Sequence, residues 1–218
     1  MRLLRLPGVF RPPTDTWMLA TVLRDEITHN GRAAQVLDLC TGTGALAIVA
    51  AKAGADTTAI DISRRAVVNV RLNAALNGVS VKPLRGDLLA PVEGRAFDVI
   101  VTNPPYVPAP DERLPERGLE RAWQAGLDGR VLIDRICAEA PPYLKPGGAL
   151  LIVQSTINGE ERTHELMAEH GLEPDTPFRE RGDFGPLMTR MAPDLEERGL
   201  IAVGQRTEEV IVVRGRRR

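Results

Sequence analysis

The sequence predicts an α/β fold with a mainly parallel sheet covered by helices on both faces. Three observations carry this expectation. Short apolar runs alternate with helical patterns along the chain, which is the arrangement of repeated βαβ units. Several of the runs end at an acidic residue or a glycine turn, as at Asp38, Asp61 and Gly86-Asp87. The 218 residues are 43% hydrophobic, which suits one good core rather than two large domains.

About thirty residues precede the first strand, Gln35-Val36-Leu37-Asp38-Leu39. Gly42-Thr43-Gly44 then opens a small, apolar helix from Ala45 to about Ala53, and a second strand ends at Ile60-Asp61. Ser63 caps a helix that sets Val67, Val70 and Ala74 on one face, and Gly78 stops it. A third strand is expected around Val79-Ser80-Val81, leading to Gly86-Asp87. It reads as an ordinary buried strand, although Val79, Val81 and Leu84 would also suit a sheet edge. The fourth strand, Phe97-Asp98-Val99-Ile100-Val101-Thr102, delivers Asn103-Pro104-Pro105-Tyr106. The connection from Val107 to Gly129, rich in proline, glycine and charge, reads as a substrate-side loop. Leu132, Ile133, Ile136, Cys137 and Ala140 make one helical stripe, which puts Cys137 in the core. Pro146-Gly147-Gly148 turns the chain into the strand Ala149-Leu150-Leu151-Ile152-Val153. A helix near Glu160 to His170, an irregular stretch and a last strand at Val210-Ile211-Val212-Val213 complete the chain, and an antiparallel last strand would give a mixed sheet. The expected division is an N-terminal segment over 1–34, the main domain over 35–214 and a basic, frayed tail over 215–218.

Composition excludes several classes. The formal charge of -1 gives no overall basic field to hold nucleic acid, and only the end of the chain, Arg214-Gly215-Arg216-Arg217-Arg218, is locally basic. Cys40 and Cys137 are too few for a disulfide scaffold or a cysteine zinc site, and His29, His164 and His170 show no metal spacing. No apolar run approaches bilayer length, and the N-terminus lacks a secretory apolar core, so a soluble, cytoplasmic protein is expected.

The chemistry concentrates at the strand ends. Asp38-Leu39-Cys40-Thr41-Gly42-Thr43-Gly44 lets a cofactor approach the backbone between a strand and a helix. Gly42-Thr43-Gly44-Ala45-Leu46-Ala47 also satisfies G-x-G-x-x-A, with Asp61 at the distance of a ribose-binding carboxylate, so a nicotinamide-dependent oxidoreductase is a competing reading. Against it stand Asp38 inside the first strand's end, Asp87 after the third strand and the proline turn after the fourth. Together they imply one small nucleoside across the carboxyl edge of the sheet, with Asp61 accepting from the ribose hydroxyls and Asp87 from the adenine amine. In Asn103-Pro104-Pro105-Tyr106 two prolines fix the backbone and remove two N–H donors, leaving carbonyl oxygens and an amide, a mouth that suits an NH₂ group.

These residues resemble the class I S-adenosylmethionine-dependent methyltransferases, and within them the HemK-like branch, through D-L-C-T-G-T-G, A-I-D, G-D-L and N-P-P-Y. The resemblance implies a Rossmann-like, mostly parallel seven-stranded sheet. It implies S-adenosyl-L-methionine held by Thr16, Asp38, Cys40, Thr41, Gly42, Gly44, Asp61, Ile62, Asp87, Leu88 and Asn103, and an acceptor site at Asn103, Pro104, Pro105 and Tyr106. Phe10-Arg11-Pro12-Pro13-Thr14-Asp15-Thr16 looks like the segment whose Asp-Thr pair closes over the cofactor in short members of the branch, and Trp123-Gln124-Ala125-Gly126-Leu127-Asp128-Gly129 is similar to its tryptophan-glycine loop. Cys40 stands where the family has its first glycine, and Ala125 replaces a loop glycine, which would alter the substrate mouth. The short segment before the first strand leaves no room for the helical recognition domain of the longer, release-factor-methylating enzymes.

A methyl sulfonium is already an activated electrophile, so the protein's task is alignment of a nitrogen lone pair. The Asn103 side-chain oxygen and the Pro104 carbonyl can each accept one hydrogen of a neutral NH₂, and Tyr106 can pack on the planar acceptor or the sulfonium. The resemblance implies a glutamine amide in a release-factor Gly-Gly-Gln loop. Lysine, an adenine amine or a small-molecule amine are the alternatives, and lysine would need a general base that no residue adjoining the motif in sequence provides. It also implies a small zinc-binding activator subunit that adds to a sheet edge in eukaryotic and archaeal relatives.

Overall fold

In a computed structural model that describes residues 1–31, 33–116 and 118–218, seven strands form one sheet in the order β3-β2-β1-β4-β5-β7-β6. The strands are β1 (Gln35–Leu39), β2 (Asp56–Asp61), β3 (Lys82–Arg85), β4 (Phe97–Thr102), β5 (Leu144–Ser155), β6 (Leu172–Asp183) and β7 (Thr207–Arg217). The helices are α1 (Thr14–Asn30), α2 (Ala45–Lys52), α3 (Arg64–Leu76), α4 (Val131–Glu139), α5 (Glu160–Glu169) and α6 (Pro186–Glu197). β1 to β5 are mutually parallel, whereas β7 pairs antiparallel with both β5 and β6. Leu39 is level with Ile60 and with Thr102, and Asp61 with Arg85, so the loops after β1 to β4 leave from one edge. The strand order reverses between β1 and β4, the place where open α/β sheets leave a crevice.

Alternate residues of the central strands feed two cores, as a pleated strand covered on both faces requires. Val36, Val99, Val101, Leu151 and Val153 meet Leu19 and Leu23 of α1 and Leu46 and Val49 of α2. Leu37, Leu39, Ile100, Leu150 and Ile152 meet Ile133, Ile136 and the buried Cys137 of α4 and Met167 of α5. No described helix is long and apolar enough to cross a membrane.

Four expectations are corrected. β3 begins at Lys82, three residues later than expected, and is an edge strand paired only with β2 rather than a buried one. The Pro146-Gly147-Gly148 turn lies inside β5 as an irregularity in its pairing with β4, because Gly148 sits so close to the Phe97 and Asp98 carbonyls that a Cβ would lie 3.0–3.1 Å from them. The irregular stretch is the edge strand β6 and α6, whose Met188, Ala192 and Leu195 are buried.

The basic tail is not frayed. β7 continues through Arg217, and its arginines are held. Arg214 and Arg216 reach the Glu26 carboxylate of α1 at 2.6 and 2.9 Å, with Glu26 only 3% exposed, and Arg217 donates to the Pro141 carbonyl at 3.2 Å. A carboxylate buried beneath two guanidinium groups welds α1 to the far end of the sheet.

Candidate active site

A cavity of about 590 Å³ opens at the carboxyl edge of β1, β2, β3 and β4. Thr16, Asp38, Cys40, Thr41, Gly42, Asp61, Ile62, Asp87, Leu88, Asn103 and Pro105 all line it. Gly44, Pro104 and Tyr106 do not. Gly44, with φ of 82°, packs against α3, where an added Cβ would lie 3.1 Å from Val70, so a glycine there lets α2 start close to α3.

The carboxylates are set by backbone donors. Asp38 Oδ2 accepts from Thr41 Oγ1 at 2.5 Å and from the Ala47 amide at 3.0 Å, while its buried Oδ1 has no partner among the described residues. Burial pushes the Asp38 carboxyl up to about 7. Asp61 accepts from the Gly42 amide at 2.9 Å and the Ser63 amide at 2.8 Å, which ties the end of β2 to the glycine loop; burial also raises its pKa. Cys40 has φ of 54°, a left-handed conformation that favours the glycine of the family pattern, and burial raises its thiol. Space above Gly42 is open, since a Cβ there would meet nothing within 4 Å. Asp87, at the cavity rim, is bound by Arg135 at 2.9 Å and is half exposed.

The Asn103-Pro104-Pro105-Tyr106 turn is gripped from two sides. Asn103 Nδ2 donates to Thr16 Oγ1 at 3.0 Å, and the Tyr106 hydroxyl donates to the Asp15 carboxylate. The Asp-Thr pair therefore holds the turn as well as lining the cavity through Thr16. Burial, and then the Asp15 charge, raise the Tyr106 pKa well above its usual value, so it stays a phenol. From the other side Asn158 Nδ2 donates to the Tyr106 carbonyl at 2.7 Å and the Asp128 carbonyl at 3.0 Å. Asn158 is supported in turn by Arg130, a guanidinium only 2% exposed that donates to the Asn158 and Gly159 carbonyls and to Thr163.

The loop from Val107 to Gly129, outside Arg117, folds back on the turn. The Val107 amide donates to the Trp123 carbonyl at 2.7 Å and the Ala109 amide to the Gly126 carbonyl at 2.7 Å, while Trp123 lies 5.6 Å from Phe10. Ala125 is fully buried and does not line the cavity, so its methyl group fills the loop's interior rather than reshaping the mouth. Asn158 and Arg130 escaped the sequence reading, and Asp15 was read there as half of the pair that closes over the cofactor, not as the partner of the Tyr106 hydroxyl. An Asn-Gly step after a strand is the one cue to Asn158.

The donor set fits S-adenosylmethionine. A nucleoside needs a carboxylate near its ribose, and a cationic aminoacyl chain needs buried negative charge; Asp61 and the unpartnered oxygen of Asp38 offer these along one cavity. The methyltransferase small domain model matches residues 1–117. A candidate protein N5-glutamine methyltransferase of Methanocaldococcus jannaschii is 36% identical over 84% of this chain and 90% of its own length. The release factor glutamine methyltransferase of Deinococcus radiodurans is 40% identical over 78% of this chain but 63% of its own, and the mouse methyltransferase HEMK2 is 32% identical over 77% and 81%. The chain belongs to the HemK-like class I methyltransferases.

It is thus an S-adenosylmethionine-dependent enzyme of the protein-methylating kind, and the nicotinamide reading of Gly42 and Gly44 is set aside. The HemK-like fold extends beyond sequence similarity. The Encephalitozoon cuniculi Mtq2 in complex with Trm112, responsible for methylation of the eRF1 translation termination factor, superimposes with a TM-score of 0.63 at 22% identity over 97% of this chain and 99% of that one. The Thermus thermophilus 16S rRNA N2 G1207 methyltransferase, solved with AdoMet and guanosine, gives 0.63 at 21% identity over 100% of this chain and 49% of that one.

Proposed function

We propose that this enzyme methylates the side-chain amide nitrogen of a glutamine in a protein substrate, a peptide-chain release factor in the first instance. The observation that carries this reading is the Asn103 amide. With Nδ2 on Thr16, its Oδ1 and the Pro104 carbonyl accept no hydrogen bond from the described residues, so two acceptors remain for the two hydrogens of a planar NH₂. The names of relatives that methylate glutamine in release factors and in ribosomal protein uL3 favour the same acceptor.

S-adenosylmethionine supplies an activated methyl group. Asp61 would accept from its ribose hydroxyls, and the Asp38 carboxylate would face the positive charge of its aminoacyl end. Asp87, now paired with Arg135, would hold the adenine amine, with Leu88, Ile62 and Cys40 against the nucleoside. Asn103 and Pro104 bond the substrate amide hydrogens, and these bonds strengthen as the nitrogen gains positive charge, which favours transfer over ground-state binding. Tyr106, held by Asp15 and Asn158, fixes the turn so that the lone pair is aligned before reaction. The proton lost from the product nitrogen leaves to water.

A lysine acceptor is the second reading. The fold brings to the motif a carboxylate that sequence proximity did not provide, Asp15 on the Tyr106 hydroxyl, which could draw a proton from an ammonium. We also propose a small activator subunit along the β3 edge, where the exposed Val68, Leu72 and Leu76 of α3 form an apolar stripe. Incubation with radiolabelled S-adenosylmethionine and a release factor carrying a Gly-Gly-Gln loop, alone and with a candidate activator, tests the proposal. Mass spectrometry should find one added methyl group on that glutamine. Label confined to lysine, or to nucleic acid, would refute it.

A further inference from the structure

Residues 1 to 6 lie extended along α3 and are read by an asparagine ladder. Asn69, Asn73 and Asn77 stand at four-residue spacing, on one face of the helix. Asn77 Oδ1 accepts from the Arg2 amide at 3.0 Å and its Nδ2 donates to the Arg2 carbonyl at 2.6 Å. Asn73 makes the same pair with Leu4, at 2.7 and 2.9 Å, and Asn69 accepts from Leu6 at 2.8 Å while donating to Leu4 at 3.0 Å. Three helix side chains thus replace the backbone partners that an extended segment finds in a sheet.

The strap that this ladder holds runs straight into the cofactor cavity. After Leu6 it turns, with the Val9 amide on the Leu6 carbonyl, and residues 8 to 13 form the cavity's outer wall before α1 begins. Asn73 does one thing more. Its Nδ2 also donates to the Thr43 carbonyl at 2.9 Å, in the glycine loop that lines the same cavity. Asn69 and Asn73 are fully buried, so neither amide has water to fall back on.

We propose that Asn73 is a positioning residue that couples the strap to the glycine loop, so that cofactor retention depends on the strap being zipped onto α3. When the strap is in place, Asn73 is saturated and holds Thr43 and the Gly42 amide in register with Asp61. When it peels off, Asn73 loses both partners on Leu4, the glycine loop loosens, and the wall over the cofactor opens. This rests on the cofactor assignment and not on the identity of the acceptor, so it survives if the substrate is not glutamine.

The test is a pair of variants read by S-adenosylhomocysteine binding. Leu4→Pro removes one N–H, the donor to Asn73 Oδ1, from an exposed residue that contributes little packing. It should raise the dissociation constant and the dissociation rate about five- to tenfold, the value of a hydrogen bond whose buried acceptor is left unpaired. Methyl transfer at saturating cofactor should stay within about twofold. Asn73→Ala should weaken binding at least as much, and adding Leu4→Pro to it should add little. Unchanged binding in Leu4→Pro, or additive effects in the double variant, would overturn the proposal. So would a fall in transfer at saturating cofactor as large as the rise in dissociation constant. If Asn73→Ala does not fold, Leu4→Pro decides alone, with hydrogen exchange at Thr43 and Gly44 as the second readout: faster exchange is expected, and unaltered exchange sinks the coupling.

Discussion

Gly129→Ala should abolish most turnover while leaving cofactor binding intact. Gly129 has φ of 75°, and a Cβ added there would lie 2.2 Å from the Tyr106 carbonyl oxygen and 2.6 Å from Asn158 Nδ2. The conformation alone costs about 1 kcal/mol for a non-glycine residue. The clash costs more. Reaching an ordinary contact of about 3.2 Å means moving the Tyr106 carbonyl by roughly 1 Å, and displacement of that size at a reacting geometry is worth about 100-fold in rate. Gly147→Ala is the control, since φ is 77° there but an added Cβ meets nothing within 4 Å, so only the conformational cost applies. Single-turnover methyl transfer, calorimetry with S-adenosylhomocysteine and thermal melts of both variants make the comparison. Melting temperature should fall in both, and further in Gly129→Ala, whereas the rate should fall only in Gly129→Ala. A Gly129→Ala enzyme with normal turnover, or one that loses cofactor affinity in parallel with rate, would refute the argument that this glycine positions the acceptor turn.

Asn103→Ala should lose about 100-fold or more in transfer with cofactor affinity nearly unchanged, while Asp61→Ala should first raise the cofactor dissociation constant, by about 10- to 100-fold; equal cofactor loss in both would contradict the division of roles. Glu26→Ala should cost about 2–3 kcal/mol in urea unfolding, because it leaves Arg214 and Arg216 without their shared carboxylate, and a loss within 0.5 kcal/mol, about the scale of surface changes, would deny that weld. The Asp38 carboxyl, raised by burial from its ordinary 3.8 to about 7, binds a proton in the empty enzyme that the unfolded chain has released, so its contribution to stability declines as pH rises between those values. Binding of a cation beside it favours the ionised form. Cofactor affinity should therefore rise from pH 6 toward 8 with proton release near neutrality, and Asp38→Asn should flatten that dependence in calorimetry across buffers.

The strands that were legible, β1, β2, β4, β5 and β7, carry buried apolar residues, such as Val36, Leu37 and Leu39 of β1 or Val99, Ile100 and Val101 of β4, that stand out in the sequence even where Asp38, Asp98 or the threonines of β2 interrupt them. β6 left no such trace. It is an edge strand interrupted by Pro174 and Pro177, where a missing donor is tolerated, and α6 hides its apolar stripe behind Pro193. β3 was misplaced because an exposed, four-residue edge strand has no apolar run to announce it. The basic tail misled because charge density says nothing about partners, and its partner, Glu26, lies 188 and 190 residues away. The site divides along the same line. Asp38, Asp61 and Asn103 sit at the ends of readable strands, and because β1 pairs with both β2 and β4 the three meet at one sheet edge with Asp38 in the middle. Asp15 and Asn158 act on Tyr106 across 91 and 52 residues, through contacts that only the packing of α1 and of the segment after β5 creates.

The placement of β7 has a consequence for how the molecule comes into being. β7 lies between β5 and β6, yet it follows both in the chain. During synthesis β6 has nothing to pair with, and β5 presents the apolar residues from Ala149 to Val153 along an open side, until residues 207–217 emerge and slide between them. A nascent chain that stalls or is cut before that point keeps two sticky strands apart and exposed, which marks it for aggregation or degradation rather than partial activity. Completion of the sheet is thereby a proofreading event: only a chain read through β7 draws α1, through Glu26, onto Arg214 and Arg216, and α1 is the helix whose first turn grips the acceptor turn.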